Sequence, residues 1–347
     1  MKLTTLFIIT LICKDLLSHY FGQTVISFLL IFLLLGLVIS FVYKKKNIEK
    51  KHTILILVLG LIYLFKALLG GFNLIPYLLG PIIVFFIPAD WLTKHKKILI
   101  LIALVNIVLM IYEVYTGNYI YELIGADGNV LDSKLFGGYD KIFRAKGIFA
   151  GPLSAVAFAY CVGLVYNFNK PTSVIIIIIG LLSLGRLSIF IGLFFFFYNS
   201  RNSKFIGFLV AITIVIVLNY YSGTIINFIT SALDFKSSNN LSRFYLWGVA
   251  LNLISDFSLL EFLTGSTSLV ERSTSFESDW IRILYSTGVF GLIAYIYMIF
   301  KVNEVSSFVI AVIISIIMLI FPFVQSLPII VLFSLVIKKA FYDKKYI

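Results

Sequence analysis

The chain has 347 residues, of which 61% are hydrophobic and 13% charged, and its formal net charge is +12 at pH 7. A soluble domain is about half apolar and a quarter charged, so the composition excludes an ordinary soluble protein and indicates a polytopic membrane protein. The basic excess does not indicate nucleic-acid binding, because lysine-rich cytoplasmic loops are typical of membrane proteins. Two cysteines and three scattered histidines predict no disulfide framework, no metal site and no cofactor.

Apolar runs long enough for transmembrane helices follow one another along the chain. In chain order they are Leu3–Tyr20, Thr24–Val42, Thr53–Gly70, Leu74–Ala89, Ile98–Tyr115, Ile148–Asn167, Ser173–Asn199, Phe205–Ser222, Ile281–Phe300, Ser306–Phe321 and Ser326–Ile337. We therefore predict one all-α polytopic membrane domain over residues 1–347. Lys14 and Asp15, inside the first run, are adjacent and do not face each other on a helix. We expect either a break in that helix or a partner elsewhere in the bundle.

The run Ser173–Asn199 is too long for one span and short for two, and Gly185–Arg186 lies in its middle. Lys170 precedes the run and Arg201 follows it. A hairpin with both ends cytoplasmic and Arg186 at its outer tip therefore gives the later loops the charge that the positive-inside rule requires. A single tilted helix is the alternative. With the hairpin, the chain has about 12 spans and both termini are cytoplasmic.

Two outer loops are long, at residues 116–147 and 223–280, and such loops in a compact protein are usually functional. The second loop contains an amphipathic run, Leu241–Leu263, which predicts a helix that lies on the outer membrane surface or caps the bundle. Most lysines lie in short inner loops, whereas five of the six arginines lie in or beside outer segments. Because the planar guanidinium binds phosphate and carboxylate through paired hydrogen bonds, this distribution predicts an anionic ligand on the outer side.

Several of these cations are candidate ligands for an anion. Arg186 is an ionisable residue among apolar runs, which indicates a functional site, although snorkelling to lipid headgroups also accounts for it. Arg144 and Lys146 precede the span Ile148–Asn167, where they are placed either to bind an anionic group or to anchor the chain at the membrane interface. Arg243 is expected in the first turn of the loop helix, where free backbone N–H groups favour an anion beside it. A solvated arginine, or one paired with Asp234, is the alternative there.

A charged cluster closes the second loop, and its members are Glu271, Arg272, Glu277, Asp279 and Arg282. Asp279 and Arg282 are one helical turn apart and are placed to pair. Asp279 or Glu277 is a candidate general base at a membrane-exposed cleft, or a carboxylate that orients an arginine. A solvated juxtamembrane cluster is the simpler interpretation. The chain has no nucleotide-binding, nucleophile-elbow or metal-ligand motif, so as an enzyme it would take an already activated substrate.

Four segments in order resemble motifs of the O-antigen polymerase (Wzy type) and O-antigen ligase superfamily. Arg144–Pro152 resembles the start of the span after the first large outer loop, and Ser183–Arg186 resembles a Ser-Arg turn. Ser242–Leu251 with Leu263–Gly265 resembles the pattern of the second loop, and Ser278–Ile281 with Gly288–Leu292 resembles the segment that closes that loop. Ligases commonly carry a histidine near the end of the second loop. Here no histidine follows His95, which favours the polymerase.

The resemblance implies a metal-independent glycosyltransferase with a GT-C-like bundle in the bacterial inner membrane, active on the periplasmic face. It would polymerise repeat units linked to undecaprenyl diphosphate into O-antigen or capsule-like polysaccharide. Preorganised cations would stabilise the leaving diphosphate, and a carboxylate would deprotonate the acceptor hydroxyl. The implied diphosphate ligands are Arg186, Arg243, Arg144, Lys146, Arg272 and Arg282, and the implied base is Asp279 or Glu277.

Membrane lipids, a chain-length regulator and a flippase are the partners that the resemblance implies. An O-antigen ligase of the same superfamily, a transporter or flippase for an anionic lipid-linked glycan, and a structural scaffold in a polysaccharide assembly complex remain alternatives. Many transporters have two related halves. This sequence shows no internal repeat, and its outer loops differ in size, which weighs against a transporter.

Overall fold

In the computed structural model the described part of the chain is almost entirely helical. The structure describes residues 3–43, 57–62, 64, 76–88, 90–122, 135–136, 139–198, 238–266, 278–305, 308–320 and 326–343. Within these ranges the helices are α1 (Leu3–Ile12), α2 (Lys14–Phe21), α3 (Gln23–Tyr43), α4 (Pro76–Phe85), α5 (Trp91–Thr116), α6 (Pro152–Val165), α7 (Lys170–Leu182), α8 (Arg186–Tyr198), α9 (Ser238–Ser255), α10 (Leu259–Thr264), α11 (Asp279–Val305), α12 (Phe308–Ile320) and α13 (Leu327–Asp343). Two short antiparallel strands, β1 (Leu135–Phe136) and β2 (Tyr139–Phe143), lie between α5 and α6. The predicted helical character is confirmed.

Helix α13 lies at the centre of the bundle. Every residue from Ile329 to Ile337 is buried, and the helix packs against α1, α4, α5, α6 and α11. A helix that is apolar on all sides is stable only when other elements surround it. Near its C-terminal end, the Lys338 ammonium donates hydrogen bonds to the carbonyl oxygens of Val84 and Phe85, both at 2.9 Å. These bonds add a donor to carbonyl groups at the end of α4, where the helical hydrogen-bond ladder stops.

The outer faces of the bundle are apolar. On α3, Val25, Phe28, Phe32, Leu35 and Ile39 are each more than half exposed, and their spacing of three and four residues places them on one stripe. A stripe of this size is unfavourable in water and suits the hydrocarbon of a bilayer.

Three described helices are long and apolar enough to cross a membrane, over Gln23–Ser40, Lys94–Thr116 and Asp279–Phe300. The pair α1 and α2 makes a fourth candidate if the two helices, bent by 81°, form one span. This bend is the break expected near Lys14 and Asp15, since α1 ends at Ile12. These helices support the predicted membrane protein.

The number of about 12 spans is not confirmed. The predicted span Phe205–Ser222 lies outside the described residues, and so does most of Thr53–Gly70, of which only residues 57–62 and 64 are described. The orientation of the helices relative to the two sides of the membrane also stays a prediction.

The predicted hairpin is confirmed as two antiparallel helices, α7 and α8, separated by residues 183–185. The hydroxyl of Ser188 on α8 donates to the carbonyl of Ile176 on α7 at 3.3 Å. A Cβ at Gly192 would lie 2.6 Å from the side chain of Ile177, so the helices pack closely and a single tilted helix is excluded. Each has 13 residues and is about 20 Å long, shorter than the roughly 30 Å hydrocarbon core of a bilayer.

Helix α11 is broken at Gly288, which has φ 65° and ψ −169°. Gly265, directly after α10 and with φ 87°, packs against this break, because a Cβ there would lie 2.5 Å from the carbonyl carbon of Ser286. A Cβ on Gly288 would in turn overlap the backbone of Leu263 at the end of α10. The two glycines therefore join the end of α10 to α11 through direct backbone contact.

We expect Gly265→Ala and Gly288→Ala each to lower the free energy of unfolding by about 2 kcal/mol or more. Both glycines combine a positive φ with a ψ near 180°, which costs a residue with a Cβ about 1–3 kcal/mol, and the backbone overlap adds to it. The measurement is thermal unfolding of the purified protein in detergent, followed by circular dichroism. Gly248→Ala on α9 is the matched control, because no atom lies within 4 Å of its added Cβ. A Gly265→Ala variant that unfolds at the same temperature as this control would contradict the prediction.

Candidate functional site

The segment between β2 and α6 is buried but not helical, and it carries two of the predicted cations. It lies against the C-terminal half of α5. Glu113 Oε2 accepts the backbone N–H groups of Lys146 and Gly147 at 2.8 and 2.9 Å, and Asn106 Oδ1 accepts that of Ile148 at 2.8 Å. Two polar side chains of α5 therefore satisfy backbone groups that no helix or strand satisfies. Non-helical backbone at membrane depth is tolerated only where protein or a water-filled cavity surrounds it.

Sequence reasoning missed Glu113 and Asn106. Both are fully buried inside the predicted span Ile98–Tyr115, which reads as an ordinary apolar helix. Glu113 Oε1 also accepts the N–H of Ile120 at 3.2 Å, so this carboxylate collects three backbone donors. The available signal was an ionisable residue in an apolar run, the same signal that singled out Arg186.

Lys146 is fully buried between two aromatic rings. Its ammonium lies 4.5 Å from the ring centroid of Tyr119 and 4.3 Å from that of Tyr121, within the range of a cation–π interaction. The Tyr121 hydroxyl donates to the carbonyl of Ile148 at 3.0 Å, and the His19 ring of α2 lies 5.6 Å from the Tyr121 ring. Contact between Lys146 and a diphosphate, as predicted, would require these rings to separate. In this structure Lys146 holds the segment in place.

Arg144 joins the same segment to the turn between α7 and α8. Its Nε donates to the carbonyl of Ser183 at 3.1 Å, and the N–H of Ala145 donates to the carbonyl of Leu182 at 3.0 Å. Arg186 begins α8 three residues after Ser183. The structure thus brings Arg144 to the turn that carries Arg186, two of the predicted diphosphate ligands. For Arg186 only the backbone is described.

Asp279 begins α11 and is fully buried, whereas the sequence predicted a membrane-exposed cleft. The Tyr77 hydroxyl donates to Asp279 Oδ1 at 2.9 Å. The Tyr295 hydroxyl donates to the backbone carbonyl of Tyr77 at 2.8 Å, and both tyrosines are buried. Arg282 lies one helical turn beyond Asp279, and both charged groups interact electrostatically with Tyr77. Tyr77 is thus a member of this cluster that the sequence did not single out, and the pairing of Asp279 with Arg282 stays a prediction.

The helix of the second outer loop begins earlier than predicted and is divided. Helix α9 begins at Ser238, so Arg243 lies in its second turn rather than its first. The free N–H groups of a helix belong to its first four residues, so the predicted first-turn position of Arg243 is wrong, whereas its role as an anion ligand stays a prediction. The other predicted members of this region, Arg272 and Glu277, lie outside the described residues.

Helix α9 packs on the bundle, which is one of its two predicted placements. Ala250 and Ile254, one turn apart, are buried against Tyr285 of α11. After α9 the chain turns into α10, which a capping box between Ser258 and Glu261 starts. Because α9 and α10 both contact α11, the described part of the second loop lies beside the helix that carries Asp279.

The chain matches no protein-family model, no curated protein and no solved structure. The resemblance to O-antigen polymerases therefore rests on the residues of the four segments and on their order along the chain.

We expect Glu113→Ala to lower the free energy of unfolding by several kcal/mol, because it leaves two buried N–H groups and one partly buried N–H group without this acceptor, at about 1–3 kcal/mol for each buried group. Glu113→Gln is the matched control, since its amide oxygen can still accept part of these bonds. Thermal unfolding in detergent measures both variants. If the alanine variant were as stable as the glutamine variant, the backbone donors would not depend on this side chain.

Proposed function

We propose that the protein is a polysaccharide polymerase of the O-antigen polymerase type, a metal-independent GT-C-like glycosyltransferase. It transfers a growing glycan from one undecaprenyl diphosphate to a second lipid-linked repeat unit, at the outer face of the bacterial inner membrane. The contact of Arg144 with Ser183 carries the proposal. These residues belong to two segments of the resemblance that are 39 positions apart in sequence, and their hydrogen bond joins them.

The transfer breaks the bond between the sugar C1 and the phosphate oxygen and forms a bond between C1 and an acceptor hydroxyl oxygen. The hydroxyl proton goes to a base, and the diphosphate leaves as an anion. Preorganised cations stabilise such a leaving group, and the Nε bond to Ser183 fixes the plane of the Arg144 guanidinium. Arg186 and Arg243 are the further proposed diphosphate ligands, together with Arg272 and Arg282.

Asp279 is the proposed base, with Glu277 as the alternative. The carboxylate of Asp279 is buried at the start of α11 and accepts a hydrogen bond from the Tyr77 hydroxyl. An acceptor hydroxyl therefore reaches it only after a neighbouring group moves. Such closed geometries are common before substrate binds, and catalytic hydrogen bonds often form only in the substrate complex.

A transporter for an anionic lipid-linked glycan is the second candidate. The buried non-helical segment before α6 favours it, because many transporters build their sites from discontinuous helices near the bilayer midplane. The reaction product separates the two candidates, since only a polymerase lengthens the glycan.

We expect the wild-type protein in nanodiscs to convert the correct lipid-diphosphate repeat unit into a ladder of longer glycans, without nucleotide sugar or added metal. Arg144→Ala, Arg186→Ala and Arg243→Ala should each reduce the rate by about 100-fold or more, the usual effect of removing one preorganised donor to developing negative charge. Lys94→Ala is the control, because this cation is 57% exposed near the opposite end of α5. Gel electrophoresis of the labelled glycan measures the ladder.

No ladder from the wild type would shift the assignment to the transporter. A ladder that the three arginine variants leave unchanged would retain the polymerase and remove these residues as diphosphate ligands. Transfer only to a lipid A core acceptor would indicate the ligase.

We expect Asp279→Asn to lower kcat by at least about 100-fold, the lower limit for the loss of a general base, with an unfolding temperature close to that of the wild type. The asparagine amide oxygen still accepts the Tyr77 hydrogen bond, so the substitution removes the basic group and keeps the contact. An asparagine variant with full polymerase activity would show that Asp279 only anchors Tyr77.

A further inference from the structure

Tyr77 contacts α11 on both sides of its break. Its hydroxyl donates to Asp279, nine positions before Gly288, and its backbone carbonyl accepts from Tyr295, seven positions after Gly288. One residue of α4 therefore bonds to both halves of α11. Because a broken helix has no continuous hydrogen-bond ladder to fix the angle between its halves, these two bonds contribute to that angle.

Tyr77 lies in a closely packed, buried part of the bundle, which restricts the movement of its side chain. Tyr77 is 2% exposed and Tyr295 and Asp279 are fully buried, and the two tyrosine rings meet edge to face at 6.1 Å. Three residues along α4, a Cβ at Gly80 would lie 2.6 Å from the side chain of Ile330, so α4 is pressed against the central helix α13. The Tyr77 hydroxyl is thus held by the most buried part of the bundle, where a hydrogen bond is stronger than in water.

We propose that Tyr77 is a positioning residue for Asp279, an inference that rests on the proposed polymerase function. Its hydroxyl bond on Oδ1 fixes the orientation of the carboxylate that takes the proton of the acceptor hydroxyl. A misplacement of about 1 Å in a reacting group can cost 100-fold in rate. The residue acts through Asp279 and does not touch the sugar.

The test compares Tyr77→Phe with the wild type in the glycan-ladder assay, with kcat and the acceptor KM measured separately. Tyr77→Phe keeps the ring and the backbone carbonyl and removes only the hydroxyl. We expect kcat to fall 10- to 100-fold and the acceptor KM to change by less than about twofold, because orientation of the base affects the transition state more than substrate binding. The assay is run in native membrane vesicles as well as in nanodiscs, so a variant that unfolds on extraction still gives a rate.

Tyr160→Phe is the matched control. Tyr160 on α6 is buried to the same degree, at 1% exposed, and its hydroxyl lies near Ser188 of the hairpin, away from α11. Its substitution should leave kcat within about twofold of the wild type, although both variants lose a buried hydroxyl.

Three results would overturn the inference while the wild type remains active. They are a kcat for Tyr77→Phe within twofold of the wild type, a raised KM with unchanged kcat, and an equal loss of kcat in Tyr160→Phe. A wild type without any ladder would instead refute the proposed function, and the inference with it. That failure is distinguishable because it is observed before any variant is compared.

Discussion

One end of the bundle depends on the hydrogen bonds that the carboxylate of Glu113 accepts from backbone N–H groups. In a bilayer, backbone N–H groups have no water to bond, so a chain that leaves the helical conformation must find acceptors in the protein. Glu113 supplies an acceptor to three N–H groups, from Ile120, Lys146 and Gly147. With those groups satisfied, the segment before α6 stays non-helical, and Arg144 and Ala145 bond to the turn between α7 and α8. Without them the segment would have to coil or move to the surface, and Arg144 would lose its contact with Ser183.

The break of α11 is the second region of irregular backbone, and its polar backbone groups also need hydrogen-bond partners within the protein. Here another backbone segment supplies the partner. There glycine allows two chains to approach so closely that their backbones contact, and the N–H of Ser266 donates to the carbonyl of Tyr285 at 2.8 Å. The break thus receives a backbone partner from the residues that follow α10 instead of a side chain. Both irregular regions lie in segments of the proposed active site. Natural proteins break local rules mainly where function requires it, so their positions agree with the proposed chemistry.

Hydropathy and charge predicted what depends on local sequence. Helices α3 and α5, the break near Lys14 and the α7–α8 hairpin follow from the length of apolar runs and from where lysines flank them. The predicted start of this helix was too late because its apolar pattern begins only at Leu241, whereas α9 begins at Ser238, with two asparagines after it; serine and asparagine favour helix starts. Tyr77 and Glu113 were missed for another reason. Their partners lie 202 and 33 positions away, and no spacing within a single element reveals contacts that only the packing of helices creates.

Arg144 and Lys146 are the two cations before α6, and the sequence assigned both of them the same role of binding an anion. Their contacts in the structure differ. Burial of a lysine is unfavourable unless other groups replace its hydration, and here the faces of Tyr119 and Tyr121 and the nearby charge of Glu113 do so. Because the carboxyl group of Glu113 interacts electrostatically with Lys146, it offsets part of the positive potential of this lysine at this end of the bundle. The positive potential that would attract a diphosphate therefore comes from Arg144, whose guanidinium is held at the hairpin turn where α8 begins with Arg186. Glu113 and Lys146 thus hold the segment in its conformation, whereas Arg144 contributes positive charge at the hairpin turn.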